Sequence, residues 1–448
     1  MANTTVHDTS IEHQKAPNIQ SISTALLVAH APERSTTVDR CRVVTPFSVG
    51  RSSTCGLTIR DGRVSKSHLV ISRSRGGFFI EDQNSTNGTY VNGCRITKTQ
   101  ALATSDVIRV GRSILVFHET GGTLLDPPPA ERHGIAGRFH SGPLIEDLRQ
   151  ASVSARHLLI VGPSGCGKEL AARALAALTD SPLTIHNAAR FASEEEASTT
   201  LFGVTARVFS GVDSRVGLIE QAGGGTLFLD EIHNLPERNQ RALLRVLEDA
   251  QTARIGETRT RKTDVQFVMA SNAPAPHYGL VKDLLARLRV VHVPALSERL
   301  ADIPAIFDNV TELVAKRHGV DASQILEALN TDHYEELMLD GFSDENVRGL
   351  LNIADRIVTR LAAGTPPSKA ADSVFEERFP TSSIRKRDGQ VIKKDETASH
   401  YEQNKSMIIG VFRESGGNVS ATERLLRSNG FSCSRRWLRT YLKRWGVK

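Results

Sequence analysis

The sequence predicts a multidomain chain of 448 residues: a β-sandwich, then an α/β P-loop domain, then a small all-α unit. Three observations predict it. From about Thr24 to Phe117, short apolar and β-branched runs are separated by Gly, Ser, Asn and Asp clusters, the spacing of a sandwich. From about Gly134 to Gly364, helical stretches alternate with buried apolar runs, and one such run leads directly into Gly162–Lys168. From Lys405 to Lys448 the pattern is helical, with ten Lys or Arg against Glu414 and Glu423 alone.

The composition narrows the class. The length suits two to four domains. No apolar run reaches the length of a transmembrane helix, and the N-terminus, MANTTVHDTSIEHQK, lacks the basic start and apolar core of a signal peptide. Five scattered cysteines, Cys41, Cys55, Cys94, Cys166 and Cys433, have no metal-ligand spacing and fit a reducing compartment. The expectation is a cytoplasmic protein without a membrane partner. The net charge of +6 is modest, but the basic C-terminal end suggests nucleic acid; a solvated helical surface is the plainer alternative.

In chain order, residues 1–23 are polar and aperiodic and read as a disordered tail. Residues 24–118 hold the strands ALLVA, RVVTPFSVG, HLVISRS, GFFIEDQ, TYVNG and VIRVGRSILVF. Residues 119–132 contain three successive prolines and predict a stiff linker, which would leave the first domain tethered rather than fused to the next. The α/β region has Leu158–Val161 as a buried strand, Gly162-Pro163-Ser164-Gly165-Cys166-Gly167-Lys168 as a phosphate-binding loop, and a helix from about Lys168. The glycines let backbone N–H groups turn around a phosphate, Lys168 adds a point charge, and the helix N-terminus faces the anion. Glu169 stands where the general motif has a Mg²⁺-binding hydroxyl, so the metal must be held mainly from elsewhere. Leu183–Ile185 is a second strand, and Thr226–Leu229 runs into Asp230-Glu231. There Asp230 suits Mg²⁺ through water and Glu231 suits orienting and deprotonating an attacking water. Residues 365–404 lose periodicity and read as a charged linker. In 405–448, Lys405–Ser415 is an amphipathic helix, a second follows a cap at Asn418, and Ser434–Trp445 is a basic third with Trp437, Leu438, Tyr441 and Leu442 on one face.

Two of these regions resemble known families. Gly50-Arg51, Ser65-Lys66-Ser67-His68 and the run Asp82–Gly93 resemble the forkhead-associated (FHA) domain over about one hundred residues. The resemblance implies a phosphothreonine-peptide site at the loops of one end. Arg51, Ser65 and Thr86 would contact the phosphate, Lys66 would sit beside it, Asn87 would hold the peptide backbone, and His68 and Gly88 would shape the loops. A guanidinium and hydroxyls suit a dianion.

GPSGCGKE, LFG, GGGTLFLDEI and Q-x-x-LLRVLED resemble the AAA+ ATPase domain of bacterial enhancer-binding proteins, the activators of sigma-54 RNA polymerase. The resemblance implies ATP and Mg²⁺, an α/β subdomain over 133–297 and a helical lid over 298–364. It implies a sensor role for Asn272, an intersubunit arginine finger at Arg287, and a phosphate-side arginine at Arg348. Asn187 would hold the catalytic Glu231, Ile135 and Gly137 would line the adenine pocket, and LSERLADIP resembles the family's LRERxxDIP. Three departures stand out. The family's GAFTGA loop reads Arg207-Val208-Phe209-Ser210-Gly211-Val212, which keeps the Phe209 ring and the Ser210 hydroxyl for sigma-54 contact but loses glycine's freedom at Arg207. Leu280-Val281 replaces a Phe-Arg pair, and Phe342-Ser343-Asp344-Glu345 replaces the lid's Trp-Pro-Gly.

The C-terminal helices resemble the Fis-type helix-turn-helix, which implies DNA contacts from Arg435, Arg436, Arg439 and Lys443; a plain three-helix bundle is the alternative. Together these imply a phosphothreonine-responsive ATPase that binds enhancer DNA, assembles as a dimer up to a hexameric ring, and remodels sigma-54 polymerase. The rival is a DNA-binding regulator whose AAA+ core is an assembly scaffold acting independently of sigma-54, suggested by the altered 207–212 loop.

Overall fold

A computed structural model of the protein describes residues 24–32, 36, 38–119, 122–126, 133–154, 157–206, 214–380 and 405–428, with 438, 442–443 and 445–447. Among the described residues the N-terminal domain has eleven strands: β1 Ala25–His30, β2 Arg40–Arg42, β3 Phe47–Gly50, β4 Leu57–Thr58, β5 Leu69–Ser74, β6 Gly77–Asp82, β7 Thr89–Val91, β8 Cys94–Arg95, β9 Gln100–Leu102, β10 Asp106–Val110 and β11 Ser113–His118. They form a six-stranded sheet, β2-β1-β11-β10-β7-β8, and a five-stranded sheet, β4-β3-β5-β6-β9. The sandwich core is filled by alternate residues of each sheet, among them Leu26, Val28, Val49, Ile71, Ile80, Ile108, Leu115 and Phe117.

The central domain adds strands β12 His157–Val161, β13 Leu183–Asn187, β14 Gly203–Val204, β15 Arg215–Val216, β16 Thr226–Asp230, β17 Gln251–Thr252, β18 Arg261–Lys262, β19 Gln266–Ser271 and β20 Leu288–His292. Its five-stranded sheet, β13-β16-β19-β12-β20, is parallel throughout. The faces are covered by helices including α1 Ser141–Val153, α2 Lys168–Leu178, α3 Glu194–Phe202, α4 Leu218–Gln221, α5 Glu237–Asp249 and α6 Lys282–Ala286. A parallel sheet buried on both faces explains the near-continuous apolar runs LLIV, TLFL and FVMA.

A helical subdomain follows: α7 Ile303–His318, α8 Ala322–Ala328, α9 Thr331–Asp340, α10 Val347–Ala362 and α11 Pro367–Arg378. The last of these corrects the expected linker from 365. Pro366 and Pro367 start a helix instead of extending the chain, because proline's fixed φ suits a first turn. Ala370, Ala371, Val374 and Phe375 are fully buried in the same core as α7 and α10. Helices Lys405–Glu414 and Val419–Ser428 pack Ile408, Phe412, Val419 and Leu426 against Leu438 and Leu442, and Asn418 Oδ1 accepts from Ala421 N at 3.2 Å. Most of the stretch expected to form the third helix, with Arg435, Arg436 and Arg439, lies outside the described residues; Lys443 is exposed.

The expectation of a tethered first domain is also overturned. Strands β1 and β11 are apolar on both faces, and the face turned away from the sandwich core does not meet water. Ala25, Leu27, Ala29, Val107, Ile114 and Val116 join Leu300, Ala301, Ile303, Phe307 and Tyr334 in one buried cluster. Polar contacts frame this seam. Arg109 Nη1 donates to Glu335 Oε2 at 2.8 Å and also bonds Asp332. Thr331 Oγ1 donates to Arg112 O at 3.1 Å. His30 stacks on Tyr334 with ring centroids 4.3 Å apart. Part of the expected linker is folded onto the same core. Gly122–Leu125 forms a 3-10 turn, Leu124 is buried, and Arg40 donates to Leu124 O, Asp126 O and Arg138 O.

Candidate functional site

The central candidate site lies at the C-terminal ends of β12, β16 and β19. These three strands are neighbours, so the loop after β12, the acids ending β16 and the residue after β19 converge. The loop Gly162–Gly167 needs its glycines. Gly165 and Gly167 have φ of 74° and 108°, and a Cβ on Gly162 would meet Val293 O at 2.5 Å. Helix α2 begins at Lys168, as expected. Lys168 Nζ donates to Gly162 O at 2.9 Å and Pro163 O at 3.0 Å. Glu169 is turned aside, paired with Arg173 at 2.7 Å. Pro163, Ser164 and Cys166 complete the loop, and Cys166 is buried.

Asp230 ends β16, and Glu231 follows in the left-handed region with φ 52°, an uncommon backbone for a residue with a Cβ. Burial holds the Asp230 carboxyl above its usual range, while the Lys168 charge opposes the rise and Glu231 adds to it. One oxygen of this carboxylate accepts from Glu231 N at 2.9 Å, and the group fits a metal ion in character. Asn272 follows β19 and is exposed. Asn187 ends β13 in register with Asp230. Its Oδ1, however, accepts from Ala189 N at 2.8 Å, and the side chain that reaches Glu231 Oε2 is Asn234, at 3.3 Å. The expected Asn187–Glu231 contact is thus replaced by Asn234, three residues along the chain from Glu231.

Arg287 caps α6 on the surface and pairs with Glu248 at 2.7 Å. Arg348 lies in the first turn of α10, and a Cβ on Gly165 would come 3.4 Å from its Cβ. Ile135 packs with Cys166, Val291 and Val293 beside the phosphate loop. Gly137, at φ 120°, closes on Asp302, whose carboxylate accepts from the N–H groups of Arg138, Phe139 and His140 and contacts His140 Nδ1 at 2.9 Å. Asp302 is buried. Burial alone would raise its carboxyl, but the His140 contact and these N–H bonds bring it below the usual range. Arg299, Asp302 and Asn346 are the residues that sequence reasoning did not single out. A signal existed for the first two: an arginine and an aspartate flanking the apolar pair Leu300-Ala301 in LSERLADIP, where a buried charge needs a partner.

A second candidate site lies at one end of the sandwich. His68 is buried, and burial depresses its pKa. Its Nδ1 accepts from Ser65 N at 3.0 Å, so Nε2 carries the proton toward Gly88 O at 3.3 Å. This ring ties the 65–68 loop to the 84–88 loop. Ser65 Oγ accepts from Thr86 N at 3.1 Å and lies 3.5 Å from Thr86 Oγ1. Asn87 Nδ2 donates to Arg63 O at 2.7 Å, and Arg51 Nε to Val64 O at 3.2 Å. Asp82 braces the turn through Ser85 and Thr89. Arg51, Lys66, Thr86 and Asn87 are exposed and Ser65 is half-buried, so two cations and two hydroxyls are gathered on one rim. Phe209 and Ser210 of the third expected site lie outside the described residues.

Among the described residues no helix is long and apolar enough to cross a membrane. Residues 139–294 match the sigma-54 interaction domain, and residues 47–111 match the FHA domain. The DNA-binding transcriptional regulator NtrC of Klebsiella pneumoniae is 37% identical over 233 residues, 49% of this chain and 47% of that protein. The nitrogen assimilation regulatory protein NtrX of Azorhizobium caulinodans is 33% identical over 256 residues, 54% of each. The crystal structure of NtrX from Brucella abortus aligns at 26% identity with a TM-score of 0.48, covering 70% of this chain and 69% of that one. The chain spans about half the length of these two curated relatives. The chain thus joins a segment that matches the FHA domain to a segment that matches the sigma-54 interaction domain, and it is similar over that second segment to transcriptional regulatory proteins.

Proposed function

We propose that the protein is a phosphothreonine-responsive, ATP-hydrolysing transcription regulator of the cytoplasm that binds enhancer DNA and remodels sigma-54 RNA polymerase. The observation that carries this reading is the convergence of the glycine loop, Lys168, the Asp230–Glu231 pair and Asn272 on neighbouring strand ends, inside the segment that matches the sigma-54 interaction domain.

The loop N–H groups and Lys168 bind the phosphates of ATP, with Ile135 and Gly137 at the adenine side and Arg348 at the phosphate side. Asp230 would hold Mg²⁺, which neutralises phosphate charge when bound. Glu231 orients a water toward the γ-phosphorus and accepts its proton as the bond to ADP breaks. The strained backbone at Glu231 aims its carboxyl, and Asn234 steadies it. Arg287 reaches a neighbouring subunit's nucleotide, so turnover requires an oligomer, a dimer or a ring. At the other end, Arg51, Ser65, Lys66, Thr86 and Asn87 take up a phosphothreonine peptide. The C-terminal unit holds DNA through Arg435, Arg436, Arg439 and Lys443.

A second reading, a DNA-bound assembly scaffold independent of sigma-54, is favoured by one specific observation. Arg207, Val208 and Val212 replace the small residues of the polymerase-contacting loop, leaving Phe209 and Ser210 on a stiffer backbone. In vitro transcription with sigma-54 holoenzyme tests the two together. The wild type is expected to drive open-complex formation with ATP. Glu231→Gln is expected to bind ATP without turnover, and Phe209→Ala to keep turnover without transcription. Turnover by the wild type with no transcription supports the scaffold reading, and no turnover at any concentration that permits assembly removes the enzyme.

A further inference from the structure

The carbonyls of the phosphate loop are taken up one after another, and the lid supplies three of the partners. Lys168 Nζ donates to the carbonyls of Gly162 and Pro163. The next three carbonyls face the helical subdomain and the segment that leads into it. Asn346 Nδ2 donates to Ser164 O at 3.0 Å, Val347 N to Gly165 O at 3.1 Å, and Arg299 Nη2 to Cys166 O at 2.7 Å. Asn346 is fully buried, and its Oδ1 accepts from Leu296 N at 2.9 Å, so one side chain bridges the loop to the segment before α7. Arg299 is 5% exposed. Asn346 has φ 52°, a strained backbone for a residue other than glycine, and Gly165 approaches so closely that a Cβ there would meet Glu345 O at 2.7 Å.

Peptide planarity gives these bonds a consequence. Each carbonyl lies in one rigid plane with the N–H of the next residue, pointing the opposite way. Fixing the carbonyls of Ser164, Gly165 and Cys166 toward the lid therefore aims the N–H groups of Gly165, Cys166 and Gly167 away from it. The Cys166 N–H closes the loop on itself, donating to Pro163 O at 3.4 Å, and the N–H groups of Gly165 and Gly167 belong to the anion cradle.

We propose that Asn346 and Arg299 are positioning residues for nucleotide binding. They hold the phosphate loop in its binding conformation from behind, so that the cradle is complete only while the lid is seated on it. The inference rests on the reading of Gly162–Lys168 as the nucleotide cradle. It makes the lid's placement a determinant of affinity for the α- and β-phosphates, which ADP and ATP share.

The test measures binding of ADP and of Mg-ATP by calorimetry on the full chain, with the melting temperature of each nucleotide-free variant. Asn346→Gly keeps a residue that tolerates the backbone and deletes both side-chain bonds. Arg299→Met removes the donor and keeps the stem, and Arg299→Lys returns one donor. The expectation is a loss of about tenfold for ADP and ATP alike in Asn346→Gly and in Arg299→Met, the size of one or two hydrogen bonds, with partial recovery in Arg299→Lys. KM for ATP should rise by a larger factor than kcat falls. Unchanged ADP affinity in a folded Asn346→Gly overturns the proposal, as does a loss confined to ATP, which would point to contact with the γ-phosphate instead. If Arg299→Met fails to fold, Asn346→Gly alone decides. A wild type that binds neither nucleotide defeats the ATPase reading itself, a distinct outcome.

Discussion

Removing the guanidinium of Arg109 is expected to open the seam between the sandwich and the helical subdomain. Arg109 is 13% exposed in its side chain, and Glu335, its partner at 2.8 Å, is 1% exposed; Asp332, its other partner, is 26% exposed. Burial works against the Arg109 charge, yet the carboxylates of Glu335 and Asp332 outweigh it and hold its proton more tightly than usual. Arg109→Leu leaves the Glu335 carboxylate buried without its cation, and breaking such a pair costs about 3–5 kcal/mol. Asp332 can turn to water, so the loss centres on Glu335. The assay is native-state hydrogen exchange of the full chain, read at β11 and α9, where local opening energies are separated from global unfolding. The single variant should lower the opening energy at both elements by that amount. The double variant Arg109→Leu with Glu335→Leu removes both charges and should recover most of the loss, because replacing a whole buried pair with apolar residues is often nearly neutral. Equal exchange in wild type and Arg109→Leu would refute the argument and leave the first domain tethered. Losses that simply add in the double variant would show that the two residues do not act on each other.

Two other outcomes follow from the same geometry. His30, facing Arg138 and Arg109, and His118, facing His140 and Asp302, both lie at this seam, and burial depresses each pKa from 6.5 to about 4. The unfolded histidines bind protons first as pH falls, so stability is full above about pH 6.5 and declines as pH falls from 6.5 toward 4, by a few kcal/mol in total on the order of one pKa unit per 1.36 kcal/mol; the opening energy of the seam, taken from exchange corrected for the intrinsic rate at each pH, should fall across that window, and a flat profile removes the effect. In the sandwich, Arg51→Ala should erase the preference of the full chain for a phosphothreonine peptide over its unphosphorylated form, a loss of about 1.5–3 kcal/mol, whereas equal binding of both peptides by the wild type would make the domain a plain docking module.

Much of the fold was legible because it is local. The strand from Leu158 to Val161, the glycine loop and the helix from Lys168 follow from periodicity and from residues that only a tight anion loop requires. The strands of the sandwich followed from turn residues at regular intervals. The linker expected from 365 failed for a physical reason: two prolines mark an extended chain or a helix start, and only the burial of Ala370, Val374 and Phe375 against α10 distinguishes them. The tethered first domain failed although a signal was present. An antiparallel strand with one wet face alternates, but Ala25–Ala29 and Ile114–Phe117 are apolar without a break, which already asks for a partner on the second face.

By itself, the sequence singled out the residue types suited to a chemistry: those proposed to cradle phosphate, hold a metal, take a proton or face a phosphothreonine. Those roles depend on residue type at short spacing, within one loop or one strand end. Tertiary structure alone decided how the parts bear on one another. Asn234, not Asn187, reaches Glu231. Arg299 and Asn346 grip the phosphate loop from 133 and 182 residues away. The sandwich lies against the lid through Arg109, 226 residues from Glu335. Contacts across such distances depend on how the helices and sheets pack, and no local pattern of residues encodes which buried charge will meet which.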